Sequence, residues 1–300
     1  MHALVIGPAR RLFSWDYFFP WTGYTDRALR RLGIKTTLFP YRESWAASPA
    51  LTKVLRPFPT APDRLARIQK NLSDRWARGL IAWTRKLRPD LVLVLKGEAL
   101  SGNLLAEVKR LAPGALVTWW VDDPWRYPSF ARNLSLFDHF FIFDRSYLTK
   151  LHSSGVRKAH FLPCACDETV YHPLRLSRLD KRRFSCDVSF VASYYPTRGE
   201  LVRAVADRID LRVWGGGWRS PEARRTLSGF DLVQGGLVND RTATRIYNAS
   251  KIGLNSHHSQ TRLGGLNTRT FDLLACGLFQ IVERVPGIEE LLAPDVQVAC

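Results

Sequence analysis

Apolar residues in this chain come in runs of about five. Between the runs lie stretches where apolar positions recur every three or four residues. The runs read as buried strands and the stretches as amphipathic helices. Ala3-Leu4-Val5-Ile6-Gly7 reads as a strand ending in a glycine turn. Residues 23–32 follow as a helix with Ala28, Leu29 and Leu32 on one side and Gly33 as its stop. Residues 35–39 form a second strand. After a proline-rich loop over 45–62, Leu65, Ile68, Leu72, Trp76, Leu80, Trp83 and Leu87 mark one long helix. Strands at 91–95, 116–121, 137–144 and 158–162 and helices at 104–111 and 147–151 complete this half. Strands alternating with helices predict an α/β architecture with a parallel, Rossmann-like sheet. No GxGxxG is present, so a dinucleotide cofactor has little support.

A polar, basic stretch interrupts this rhythm at 174–184 and reads as a linker. A second α/β series follows. Its strands are expected at 186–193, 211–214, 251–255 and 278–282, and its helices at 199–208, 241–250 and after Asn267. Two Rossmann-like domains are therefore predicted, 1–174 and 184–300, joined by a linker over 175–183.

Composition narrows the picture. The chain has 300 residues, 46% hydrophobic and 24% charged, which is ordinary for a globular protein. Its first residues, MHALVIGPARR, form a strand and no signal peptide. No run of about 18 apolar residues occurs, so no membrane span is expected. Five scattered cysteines, including Cys164-Ala165-Cys166, fit neither a redox CxxC nor a zinc knuckle, and are read as reduced cytoplasmic thiols. The net charge of +17 suits anionic partners. No nucleic-acid motif is visible, so no specific nucleic acid is expected. The long helix carries Arg64, Arg67, Lys70, Arg75, Arg78 and Arg85 opposite its tryptophans. Such a helix either packs on the sheet with a solvated outer face or touches an anionic membrane peripherally.

The richest local signal is Leu266-Asn267-Thr268-Arg269-Thr270-Phe271-Asp272-Leu273-Leu274-Ala275-Cys276-Gly277. A polar loop enters a helix that stops at glycine. Helix N-termini attract phosphates through free N–H groups and the dipole. Arg269 adds a bidentate cation, and Asp272, one turn on, can accept from ribose hydroxyls. An ordinary βα unit would show the same spacing.

This stretch resembles the N-x-R-x-F-E-x-x-A-C-G signature of the CgeB-type (spore maturation protein) glycosyltransferases, a branch of the GT-B glycosyltransferases. Asp272 stands where that family has Glu. Gly264 stands where many retaining GT-B enzymes carry a second acid, eight residues earlier. The strand-end pieces Lys96-Gly97-Glu98, Asp122-Asp123-Pro124 and Leu162-Pro163-Cys164-Ala165-Cys166-Asp167 resemble the family's first half. The resemblance implies a GT-B fold, two Rossmann-like domains whose parallel sheets face across a cleft. It implies transfer of a sugar from a nucleotide-diphosphate sugar to a glycan, lipid-linked or protein acceptor, with no cofactor and no obligatory metal. The alternative is a catalytically inactive GT-B scaffold that binds nucleotide or glycan. GT-B proteins add closing helices after the strand read at 296–300, so a truncated C-terminal end is expected.

Donor-binding candidates are Ser193, Arg198, Gly215, Gly217, Trp218, Asn255, His257, Asn267, Arg269 and Asp272. Arg198 follows the first strand of the second half, where related enzymes place a diphosphate-binding cation. Gly215 and Gly217 allow close backbone approach, or simply make a tight turn. Trp218 is a candidate wall of the base pocket. Of His257 and His258, at most one faces the ligand. Candidates for a general base are Asp16, Glu98, Asp122 and Asp123, each in a loop at a predicted strand end. The aromatic stretch 14–21 is read as a loop that either stacks on sugar or packs between domains.

Overall fold

The computed structural model describes residues 1–12, 15–18, 20–41, 61–98, 100–257, 264–294 and 296–300. For 9–12, 15–18, 41 and 61–72 it describes only the backbone. The chain divides into two compact units, residues 1–162 and 163–300.

The first unit holds a seven-stranded sheet. Its strands are β1 (His2–Leu12), β2 (Trp15–Phe18), β3 (Lys35–Tyr41), β4 (Leu91–Leu95), β5 (Ala115–Trp120), β6 (His139–Ile142) and β7 (Ala159–Phe161). Neighbours run β3-β1-β4-β5-β6-β7, all parallel. Helices α1 (Pro20–Arg31), α2 (Ala61–Leu87), α3 (Gly102–Leu111), α4 (Pro128–Ala131) and α5 (Leu148–Ser153) lie between them in sequence. The apolar runs are the inner strands: Val92, Val94, Leu95 and Leu116 are buried, as expected when both faces of a parallel sheet are covered.

The start of the chain departs from the sequence reading. β1 does not stop at Gly7 but continues to Leu12, and residues 9–12 pair antiparallel with β2. This hairpin uses residues that β3 and β4 do not pair, so no buried apolar run announces it. Gly7 serves packing rather than a turn. A Cβ there would lie 2.3 Å from Cγ2 of Thr22, which is itself buried on α1. The predicted aromatic loop is largely strand and helix start. Trp21 stacks on Trp119 of β5 at 6.0 Å between ring centroids, so it packs inside this unit.

The long helix α2 forms as the periodicity predicts. Trp76 and Trp83 close on Phe39 of β3 at 5.5 and 6.0 Å, and the Trp76 indole N–H donates to the Pro40 carbonyl. Its tryptophans are used on the sheet, and contact with a membrane gains no support. Among the described residues no helix is long and apolar enough to cross a membrane.

The second unit begins earlier than predicted. Residues 163–174 are tied to helix α9 (Asp240–Ala249). Thr244 Oγ1 donates to the Val170 carbonyl at 3.0 Å and Asn248 Nδ2 to that of His172 at 3.0 Å. The expected linker also contains a helix, α6 (Arg178–Phe184), capped by Ser177. Ser177 and Asp180 bond reciprocally at 2.9 and 3.0 Å, a cap that charge composition conceals.

The five strands here are β8 (Cys186–Val191), β9 (Leu211–Trp214), β10 (Val233–Gly235), β11 (Ser250–Asn255) and β12 (Phe279–Val282). They are parallel, in the order β10-β9-β8-β11-β12. The remaining helices are α7 (Pro196–Val205), α8 (Pro221–Thr226), α10 (Thr268–Ala275) and α11 (Ile288–Leu291). Strand order reverses between β8 and β11. Beyond the carboxyl ends of two such strands the following loops part in opposite directions, and open α/β sheets bind ligands there.

If Gly7 is required by its contact with Thr22, Gly7→Ala lowers stability by about 1–3 kcal/mol, the usual cost of overpacking. Adding Thr22→Ala recovers much of that loss in chemical denaturation. Equal stability of Gly7→Ala and parent overturns this account.

Candidate functional site

Two connections meet at the switch point of the second unit: the one that follows β8, and the one that leaves β11 and enters α10. Arg198, in the first turn of α7, sends Nη1 to the Ser193 carbonyl at 3.0 Å and Nη2 to the Ser256 carbonyl at 2.8 Å. It thereby ties the β8 and β11 loops together. Its guanidinium lies over the Tyr195 ring at 4.9 Å. Nε is buried without a partner. Arg269, in the first turn of α10, donates from Nε to the Val191 carbonyl at 2.7 Å and from Nη1 to Asn255 Oδ1 at 3.2 Å.

The base of the site is a side-chain amide network. Asn267 caps α10, accepting from the Thr270 N–H at 3.1 Å, and donates to Asn255 Oδ1 at 2.9 Å. Asn255 in turn donates to the Thr270 hydroxyl at 2.9 Å and to Gln280 Oε1 at 3.3 Å. Gln280 closes the set on the Thr270 carbonyl at 2.9 Å. Buried amides that satisfy one another rigidify a site, and here they fix the start of the signature helix.

The electrostatics are one-sided. Arg198, 6% exposed, is lowered to about 10, by burial first and then by Arg269, against the pull of Tyr195 and Glu283. His257 is pushed down to about 4 by burial, Arg269 and Arg198. Two guanidiniums and an imidazole thus share a confined space. Glu283 reaches the Ser256 hydroxyl at 3.4 Å and the His257 N–H at 3.2 Å. Such a place favours an anion.

The other predicted donor residues are arranged differently. Ser193 contributes its carbonyl to Arg198. A Cβ on Gly215 would lie 1.8 Å from the Ala192 carbonyl oxygen, so the chain crosses the end of β8 too closely for a side chain. Gly217 has a positive φ of 84°. Trp218 is 1% exposed, donates to the Ala192 carbonyl at 2.6 Å and packs edge-on against Phe190 and Tyr194. It belongs to the core, and an indole so enclosed has no free face for a base. Asp272 is 8% exposed. Burial raises its carboxyl well above the usual range; Arg269 opposes this and Asp240 adds to it. Burial, and then the charge of Asp272, push the thiols of Cys164 and Cys276 up to about 12.

The base candidates lie in the first unit. Lys96 Nζ is 3.3 Å from Glu98 and 3.9 Å from Asp122, and Arg126 is 3.4 Å from Asp122. Burial works against the Lys96 charge, but Glu98, Tyr127 and Asp122 outweigh it and hold the ammonium above its usual value. Glu98 Oε2 is buried without a partner. Asp123 caps the turn that follows it, accepting from the Trp125 N–H at 2.9 Å. Asp16 lies on β2, and its side chain is outside what the structure describes, as is all of His258. Among the described residues no group of three His, Cys, Asp or Glu is placed to hold a metal.

Sequence reasoning missed Gln280, Ser256 and Glu283, and named Lys96 only as part of its strand-end piece. Gln280 had a signal, a lone polar residue inside the apolar run 278–282.

Residues 198–300 match the family model Glyco_trans_1_2, described as glycosyl transferase-like. The spore protein CgeB of Bacillus subtilis (strain 168) is 22% identical over 209 residues, which cover 65% of this chain and 64% of that protein. The chain resembles the CgeB-type glycosyltransferases. The match thus spans less than two-thirds of CgeB's length. Among solved structures, AviGT4, a glycosyltransferase involved in avilamycin A biosynthesis, is 12% identical with a TM-score of 0.58, covering 97% of this chain and 80% of that one. A UDP-N-acetylglucosamine 2-epimerase is 11% identical with a TM-score of 0.54, covering 96% and 81%. The fold is therefore that of GT-B glycosyltransferases and these epimerases. A shared fold does not by itself assign an activity; the match over residues 198–300 is what points to glycosyl transfer in general.

Two outcomes test the site's construction. Asn255→Ala strands the partners on Asn267, Arg269, Thr270 and Gln280 and costs about 2–4 kcal/mol of stability by denaturant unfolding. A loss near zero overturns the network. Asp272 is raised in the folded state, so the stability it contributes is full at low pH and is lost as pH rises through the folded value. Asp272→Asn therefore raises the melting temperature at about pH 8, and the gain vanishes near pH 3. A gain independent of pH contradicts the burial argument.

Proposed function

We propose that the chain transfers a sugar from a nucleotide-diphosphate sugar to the hydroxyl of a glycan, lipid-linked or protein acceptor. The observation that carries this is the pair Arg198 and Arg269 at the switch point, both held by neutral acceptors of the β8 and β11 ends. Cleavage of the anomeric C–O bond leaves negative charge on the β-phosphate. Fixed cations and a helix N-terminus stabilise that charge without reorganising. In this reading Arg198 and Arg269 take the diphosphate, the N–H groups at the start of α10 support it, and Asp272 accepts from the ribose. Asn255 and Asn267 hold Arg269 in place, and Gly215 and Gly217 shape the adjoining loop. On the acceptor side, Glu98 is the favoured base because one of its oxygens is buried and unpartnered. Asp122 is engaged by two cations and Asp123 by its cap. The epimerase likeness makes uridine the first base to try.

Arg269→Ala and Arg198→Ala are expected to weaken UDP binding by about 1.5–3 kcal/mol each and uridine binding far less. Calorimetry on variants that keep the parent melting temperature checks this. Equal UDP affinity of parent and both variants removes the cations from the site. Turnover of radiolabelled nucleotide sugars then separates an enzyme from a scaffold that binds without transfer.

A further inference from the structure

His257 lies two residues past the end of β11 and is 4% exposed, yet among the described residues neither ring nitrogen has a hydrogen-bond partner. Leaving a buried polar group unpaired is costly, so a ligand that supplies its partner gains from doing so. Among the described residues, the charged groups that act on the ring come from two neighbouring helices. Arg198 comes from α7 and Arg269 from α10. Glu283, just beyond β12, spends its carboxylate on the backbone N–H of His257 and on Ser256 rather than on the ring.

We propose that His257 is the proton-carrying ligand of the donor diphosphate: neutral in the free protein, it takes up one proton as the diphosphate seats between Arg198 and Arg269, and donates a hydrogen bond to it. The inference rests on the donor-site reading above and adds a catalytic residue to it. Without an anion, a third positive charge beside two guanidiniums is strongly disfavoured, which agrees with the depressed value of this imidazole. A bound diphosphate reverses the sign of the local potential, and the imidazolium becomes the favoured form. During transfer the anomeric C–O bond breaks and its electron pair stays on the β-phosphate oxygen. The acceptor hydroxyl forms the new C–O bond and gives its proton to a base. The imidazolium N–H stabilises the new charge on the leaving oxygen. When the nucleoside diphosphate departs, His257 releases its proton to water or to the product, and the neutral ring returns.

The test is calorimetry with UDP-glucose, dTDP-glucose and GDP-mannose at about pH 6.5 in two buffers of different ionisation enthalpy. Their diphosphates are esterified at both ends and lack the second ionisation near pH 6 of a terminal phosphate, so proton uptake reports on the protein. Binding of the preferred donor is expected to take up close to one proton in the parent and none in His257→Gln. Because the complex binds more protons than the free protein, parent affinity falls as pH rises, by up to about tenfold per pH unit over roughly pH 5–7. His257→Gln binds more weakly at the low end and is nearly flat. Donor binding without proton uptake overturns the proposal and leaves the donor site standing, and so does uptake that persists in His257→Gln. If none of the three sugars binds, the donor-site reading fails and this inference with it. If His257→Gln does not fold, imidazole NMR of the parent decides: one of the seven histidines must change from neutral to charged on adding donor.

Discussion

Two guanidiniums at the switch point of the second sheet repel each other, and much of what surrounds them makes that repulsion tolerable. Arg198 and Arg269 are anchored on main-chain carbonyls of Val191, Ser193 and Ser256 and on one side-chain amide, Asn255. These acceptors are dipoles. They satisfy N–H groups and fix direction, but they do not cancel charge. A carboxylate in their place would neutralise the pair and leave little affinity for a phosphate. The protein instead orients its guanidiniums on neutral acceptors, with the Glu283 carboxylate nearby as a counter-charge. That arrangement costs stability in the free protein, a cost that a bound anion would offset.

The fold supplies this geometry from ordinary parts. Parallel strands end at one edge, so the carbonyls of β8 and the side chains after β11 emerge side by side. Helix α7 starts with a proline at its first turn, and α10 with an asparagine cap. Each places its arginine early enough to reach back over the strand ends. Beneath them the amides of Asn255, Asn267 and Gln280 and the Thr270 hydroxyl form a closed set. A hydrophobic patch in the same place would not fix the rotation of α10, because apolar contacts have no direction. The Gly215 turn and the buried Trp218 brace the other flank of β8.

What the sequence made legible follows from the same physics. Apolar runs and helical periodicity located most inner strands and the long helix α2, because burial on a parallel sheet leaves that imprint. That Arg198 and Arg269 start helices and Asn255 ends a strand was legible, because such ends are readable from the sequence. Trp218 was not. A tryptophan after three glycines reads the same whether its ring turns toward a ligand or into the core, and only packing decides. The unit boundary was also hidden. Residues 163–174 lack periodicity and join the second unit through backbone carbonyls, which composition does not register. The hairpin of β1 and β2 escaped for a related reason, since it lies past the pairing range of the main sheet. Gln280 left a mark that a network reading would have caught, a polar residue where only a partnered one is tolerated.

The two units treat charge in opposite ways, and the contrast bears on what each can bind. In the first, Lys96 lies between Glu98 and Asp122, and Arg126 adds to Asp122. Positive and negative groups there nearly cancel, so a bound anion gains little and a bound cation gains little. What remains is directional hydrogen bonding, which suits a neutral hydroxyl. In the second, Arg198 and Arg269 are held by neutral acceptors rather than by ion pairs, with the Glu283 carboxylate nearby as a counter-charge. Sequence motifs alone do not reveal this division, because Arg and Asp occur at strand ends in both halves. It appears only when the partners of each charge are traced.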